Sequence, residues 1–145
     1  MGALVLVLLL AQETQPAAWS SHQKAADIAS TVAVAGNIAG AAWEASHAPD
    51  RGHAFGCFAL RNLIVYGATT VVKQSVKRWR PDHSNQQSFY SGHTAFAAVN
   101  QWNLQVSIPI TIGAGYGRAA ANRHYWTDIG VGAAVGFISR RVCEY

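Results

Sequence analysis

The hydrophobic and polar positions divide the chain into an apolar opening and a series of helical stretches separated by polar or Pro/Gly breaks. Met1 to Ala11 is an apolar run, and the chain turns polar at Gln12 to Pro16. This is short of the roughly 20 apolar residues a spanning helix needs, so residues 1–20 read as a signal peptide or an N-terminal anchor. Ala18-Trp19-Ser20 is the cleavage candidate.

Residues 21–145 are expected to form one domain. A first helix is expected over about Ser21 to Ser46, with a turn at His47-Ala48-Pro49-Asp50. A second runs from about His53 to Trp79 and stops there, because Pro81 disfavours helical geometry at Arg80. Asp82 to Tyr90 is a polar loop. A third helix starts near Ser91 or Gly92 and ends around Asn103. A fourth covers about Val106 to Tyr116, with Pro109 in its first turn. After Arg118 to Arg123, a last helix runs from about His124 to Arg141. Val71-Val72 and Ile108 to Ile112 carry β-branched residues, but no turn-bounded alternation surrounds them. The expected fold is all-α, a compact bundle of about five helices with the active site at the helix ends. Glycine pairs four apart, at Gly36/Gly40, Gly113/Gly117 and Gly132/Gly136, suit close helix packing.

Composition narrows the partners. Half the residues are apolar and only 12% are charged, against about 25% in soluble domains, which suits an exported protein or one at a membrane. Net charge is +4, which favours an anionic partner, but no basic stripe with interleaved aromatics points to nucleic acid. Cys57 and Cys143 have no metal-ligand spacing. They are compatible with a disulfide, though the reading leans to unpaired, buried thiols.

Three separated clusters carry candidate chemistry. In Lys73-Gln-Ser-Val-Lys-Arg-Trp-Arg80-Pro81, Lys73 and Arg80 are two turns apart and would share a helix face. A Lys point charge beside an Arg fork suits a phosphate dianion. Lys77 and Arg78 would point elsewhere, into solvent. In Ser91-Gly92-His93-Thr94, at an expected helix start, free N–H groups can bind an anion. Ser91 can cap the helix and touch a ligand oxygen, Gly92 lets the backbone approach, and His93 can carry a proton near neutral pH. In the third cluster, Gly117 to Asp128, His124 and Asp128 are one turn apart. That spacing suits a carboxylate fixing one ring nitrogen and freeing the other as a nucleophile. It equally suits two metal ligands or a structural hydrogen bond, although no further ligand stands at a persuasive spacing.

Taken together, these residues resemble the type 2 phosphatidic acid phosphatase superfamily, which includes bacterial acid phosphatases, lipid phosphate phosphatases and vanadium haloperoxidases. Lys73 to Arg80-Pro81 corresponds to its Lys-x6-Arg-Pro pattern. Tyr90-Ser91-Gly92-His93 corresponds to Pro-Ser-Gly-His, with Tyr for Pro. Gly117-Arg118 to His124 and Asp128 corresponds to Ser-Arg-x5-His-x3-Asp, with Gly for Ser. The loops between the signatures are short, with nine residues between Pro81 and Ser91 and 24 between His93 and Arg118.

The resemblance implies a metal-independent phosphatase with no cofactor. Lys73, Arg80, Arg118, Ser91 and Gly92 would hold the phosphoryl group, and His124 would attack phosphorus. Asp128 would steady the His124 ring, and His93 would protonate the leaving oxygen and then activate water. The implied substrate is a phosphomonoester or pyrophosphate of a lipid or isoprenoid, met in the periplasm or at a membrane. The alternatives are a soluble broad-range acid phosphatase, more distantly a vanadate-dependent haloperoxidase, and a non-catalytic membrane or anion-binding protein.

Overall fold

The structure is a computed structural model that describes residues 20–100 and 102–143. The expected signal peptide or anchor lies outside the described residues, except for Ser20. The rest is all-α: α1 (Ser21–His47), α2 (Arg51–Val76), α3 (Gly92–Val99), α4 (Leu104–Ala120) and α5 (Trp126–Arg140).

Local caps explain the starts. Ser20 accepts from the Gln23 amide while the Gln23 side chain returns to the Ser20 amide, a reciprocal capping box. Asp50, Ser91 and Asn103 cap α2, α3 and α4 with their side-chain oxygens. The ends differ from expectation, and three of the differences shape the site.

First, α2 stops at Val76, because Lys77 turns left-handed at φ 46°. Arg78 then makes an isolated parallel bridge with Gln87, the Arg78 carbonyl accepts from the Ser88 amide at 2.9 Å, and the Arg80 amide donates to the Asn85 carbonyl at 3.0 Å. Lys73 and Arg80 therefore do not share a helix face. Second, α4 continues to Ala120 and carries Arg118 in its last turn, while Pro109 sits well inside it. Third, α5 begins at Trp126 and not at His124. Tyr125 takes an extended conformation, and Asp128 uses its carboxylate to accept the Tyr125 amide at 3.2 Å. His124 and Asp128 are therefore not an i,i+4 pair on one helix. The third helix also ends early, at Val99, where Asn100 pairs side chain to side chain with Asn62 of α2 at 2.8 and 2.9 Å.

The short α3 lies at the centre and packs on all four other helices. Its Ala95, Ala97, Ala98 and Val99 are buried, joined by Val65 and Tyr90. Two glycines let α5 close on it: a Cβ on Gly132 would collide with the Ser91 carbonyl oxygen, and one on Gly136 with that of Ala95. Gly117 likewise seats α4 against Ala26 and Ser30 of α1, while Gly40 faces Trp102. Gly36 and Gly113 face open space, so only one of the three pairs acts as a pair.

Polar side chains stitch the interior. Ser30 donates to the Ala114 carbonyl at 2.9 Å, and Asn37 donates to the carbonyls of Ala97 at 3.0 Å and Ser107 at 3.3 Å. Many large apolar side chains nevertheless lie outside: Ile28, Val32, Leu63, Val71, Ile112 and Ile138 are each more than 60% exposed. In length and composition α1 and α2 could each cross a membrane. Cys57 and Cys143 are joined in a disulfide, which corrects the leaning towards free thiols. It ties the end of the described chain to α2, where Arg61 Nε also donates to the Val142 carbonyl at 2.7 Å.

Candidate active site

One cavity of about 360 Å³ is lined by Lys73, Arg80, Gly92, His93, Arg118 and His124. Those six residues were singled out from three separated clusters, and the fold brings them to a single wall. Each arrives by its own route. Lys73 comes from the last turn of α2, where its ammonium donates to the Gln87 carbonyl at 2.5 Å. Arg80 comes from the segment after α2, Gly92 and His93 from the first turn of α3, Arg118 from the last turn of α4, and His124 from the loop before α5. Val34, Ile38 and Phe96 form an apolar side of the same cavity.

Three cations in one cavity repel one another, so the site must carry compensation. Arg118, whose side chain is 5% exposed, is ion-paired with Asp27 of α1. Among the described residues, the buried Nε atoms of Arg80 and Arg118 have no acceptor. Unmet buried donors are costly, and an anion accepting from them would relieve that cost.

His124 is 3% exposed. Its Nδ1 lies 2.7 Å from the Ser88 carbonyl oxygen. A carbonyl only accepts, so Nδ1 carries the proton and Nε2 keeps its lone pair. Burial, then the charges of Lys73, Arg118 and Arg80, push the His124 pKa down to about 2, so the ring is neutral at any ordinary pH. His93 is also pushed down, to about 4, by burial and then chiefly by Arg118. Its Nε2 meets the Thr31 hydroxyl at 3.4 Å.

Two expected contacts are placed differently. Ser91 caps α3, but its side chain is fully buried and accepts from the Thr94 amide and hydroxyl at 3.4 and 3.0 Å. It does not line the cavity. Asp128 lies 3.9 Å from His124 Nδ1, too far for a hydrogen bond. Its oxygens accept instead from Arg78 at 2.6 Å, from the Ser88 hydroxyl at 2.5 Å and from the Tyr125 amide. Arg78 is therefore not a solvated surface charge. It neutralises a wholly buried carboxylate, donates to Thr127 and lies over the Tyr125 ring, 4.3 Å from its centroid.

The sequence reading missed Asp27, Arg78 and Ser88. Asp27 had one weak signal, as the last acid before the charge-free run from Ile28 to Trp43. Ser88 had none. Among the described residues no three His, Cys, Asp or Glu side chains are grouped to hold a metal.

Set against family models, curated proteins and solved structures, the chain matches none. The functional reading therefore stands on the residues and their geometry.

Proposed function

We propose that the protein is a metal-independent phosphohydrolase acting through a phosphohistidine at His124. The observation that carries this reading is the convergence, on one cavity, of three cations with a buried neutral imidazole and a second histidine. Lys73, Arg80 and Arg118, with the Gly92 amide at the start of α3, hold the three phosphoryl oxygens. His124 Nε2 attacks phosphorus; the N–P bond forms as the bond to the leaving oxygen breaks. His93 gives its proton to that oxygen. In the second half His93 takes a proton from water, the water oxygen bonds to phosphorus, and the N–P bond breaks.

His93 is deprotonated in the empty cationic site, but a phosphate dianion beside it reverses the local field and raises its proton affinity. Substrate binding thus arms the acid. Three fixed cations supply the charge stabilisation that metal ions give in other phosphoryl transfers.

An amphiphilic phosphate ester, of a lipid or isoprenoid, is favoured over a soluble ester by two observations. Val34, Ile38 and Phe96 continue the cationic cavity as an apolar wall, and the outer faces of α1 and α2 are apolar. A membrane-associated protein in an oxidising compartment fits both the apolar helices and the disulfide.

The test is hydrolysis of p-nitrophenyl phosphate in excess EDTA, with acid-stable and base-stable phosphoenzyme separated after a quench. Base-stable, acid-labile phosphate on wild type, absent from His124→Ala, is expected. Turnover by His124→Ala would remove the nucleophile assignment. Activity lost in EDTA and restored by zinc or magnesium would remove the metal-free mechanism. A panel of phosphatidate, isoprenoid pyrophosphate and soluble esters then separates the substrate classes.

A further inference from the structure

We infer that Ser88 is the positioning residue of the nucleophile, and that Asp128 acts on His124 through Ser88 and not directly. The inference rests on the reading of His124 as the nucleophile, and it deepens that reading.

All three polar groups of Ser88 are engaged, and the side chain is fully buried. Its amide donates to the Arg78 carbonyl at 2.9 Å, its hydroxyl donates to Asp128 Oδ2 at 2.5 Å, and its carbonyl accepts His124 Nδ1–H at 2.7 Å. One residue thus joins the segment after α2, the first turn of α5 and the nucleophile. Asp128 cannot take over the ring, because its Oδ2 stands 3.9 Å from Nδ1. Nor does it offer His124 an uncompensated charge, since Arg78 sits 2.6 Å from Oδ1. What the carboxylate does control is the Ser88 hydroxyl, and through it the place of the Ser88 carbonyl.

The consequence for chemistry is directional. With Nδ1–H held by a carbonyl, the ring can rotate neither its plane nor its tautomer, and Nε2 alone faces phosphorus. On phosphorylation Nε2 takes up the phosphoryl group, Nδ1 keeps its proton, and the ring becomes cationic. The same carbonyl then accepts from a stronger donor, so the contact tightens where charge develops.

The experiment reads both tautomer and kinetics. In wild-type protein labelled with ¹⁵N-histidine, His124 should show a protonated Nδ1 and an unprotonated Nε2 by two- and three-bond ¹⁵N–¹H correlations. In Ser88→Ala the hydroxyl is gone, and a mixed tautomer is expected. Its kcat should fall roughly 10- to 100-fold, the scale of a small misplacement of a reacting group. KM and the inhibition constant of orthovanadate should stay within about twofold, because the three cations are untouched. Ser88→Cys, which keeps a weaker donor at the same place, should recover part of kcat.

A wild-type His124 protonated on Nε2 overturns the inference without any variant, so a misfolded Ser88→Ala cannot shelter it. A folded Ser88→Ala with wild-type kcat and tautomer overturns it as well. So does a parallel loss of vanadate binding and turnover, which would mean that the whole site had collapsed. Absence of phosphohistidine in wild type, with the Nδ1–H tautomer intact, overturns the functional reading while still supporting the clamp.

Discussion

Asp27 of α1 and Arg118 of α4, which lines the cationic cavity, form an ion pair across 91 residues of chain. Arg118 is almost wholly buried, and Asp27 also lies 3.7 Å from Arg123 Nε. The pair ties α1 to the site and holds down its positive potential. Asp27→Asn is therefore expected to act in two opposite directions. Stability should fall by about 1 to 3 kcal/mol, less than for a fully buried pair because Asp27 is 24% exposed. Affinity for orthovanadate or inorganic phosphate should rise several-fold, because a competing anion has gone. Urea unfolding and inhibition constants measure the two effects separately. Weaker anion binding in this variant would place Asp27 among the ligand's supports.

Acid should favour turnover while it erodes the fold. His93 is held near pKa 4 and must carry a proton to serve the leaving oxygen, so kcat/KM should rise as pH falls from 7 towards 5. The kcat profile, which reports the loaded enzyme, should be displaced to higher pH by the bound dianion. For stability the sign is the reverse. The folded-state pKa values of His93 and His124 lie below the unfolded value of about 6.5, so only the unfolded chain takes up protons as pH drops through 6.5. Each histidine then removes at most about 1.4 kcal/mol per pH unit, His93 down to about pH 4 and His124 beyond it. Melting temperatures from pH 7.5 to 4.5 should show that slope, and His124→Asn should reduce it. A flat profile would contradict neutral burial of the ring.

Close packing of α5 on α3 depends on Gly132. Its missing Cβ is occupied by the Ser91 carbonyl, at the start of the helix that carries Gly92 and His93. Gly132→Ala must push the two backbones apart, at a cost of about 1 to 3 kcal/mol. Activity should fall further than stability predicts, because the helix start moves with Ser91. Gly113→Ala meets open space, and it should be neutral or slightly stabilising in the same assays.

The Cys57–Cys143 disulfide closes a long loop, with a sequence separation of 86. Reduction, or Cys57→Ser with Cys143→Ser, should cost about 2 to 4 kcal/mol. Neither cysteine lines the cationic cavity, so kcat and KM at a temperature where the reduced protein is folded should be unchanged. A change in kcat there would mean that the bond shapes the site.

Much of the molecule is written locally. Among the described residues, the five helices and the absence of a sheet follow from apolar stretches broken at His47 to Asp50, ahead of Pro81, and at the caps Ser91 and Asn103, because helices are built from contacts a few residues apart. The residue types that line the cavity were also legible, since Lys73, Arg80, Gly92, His93, Arg118 and His124 each sit in a short motif with a recognisable chemical use. Tertiary structure alone decided who holds them. Lys77 turning left-handed took Arg80 off the helix, and α5 starting at Trp126 separated His124 from Asp128 by more than a hydrogen bond. Ser88, Arg78 and Asp27 gained their roles from partners 36, 50 and 91 residues away. No local pattern encodes such distances, because a buried charge or ring nitrogen selects whatever partner the packed chain brings within reach. The spacing of His124 and Asp128 promised a pair; the packing around them put Ser88 between the two.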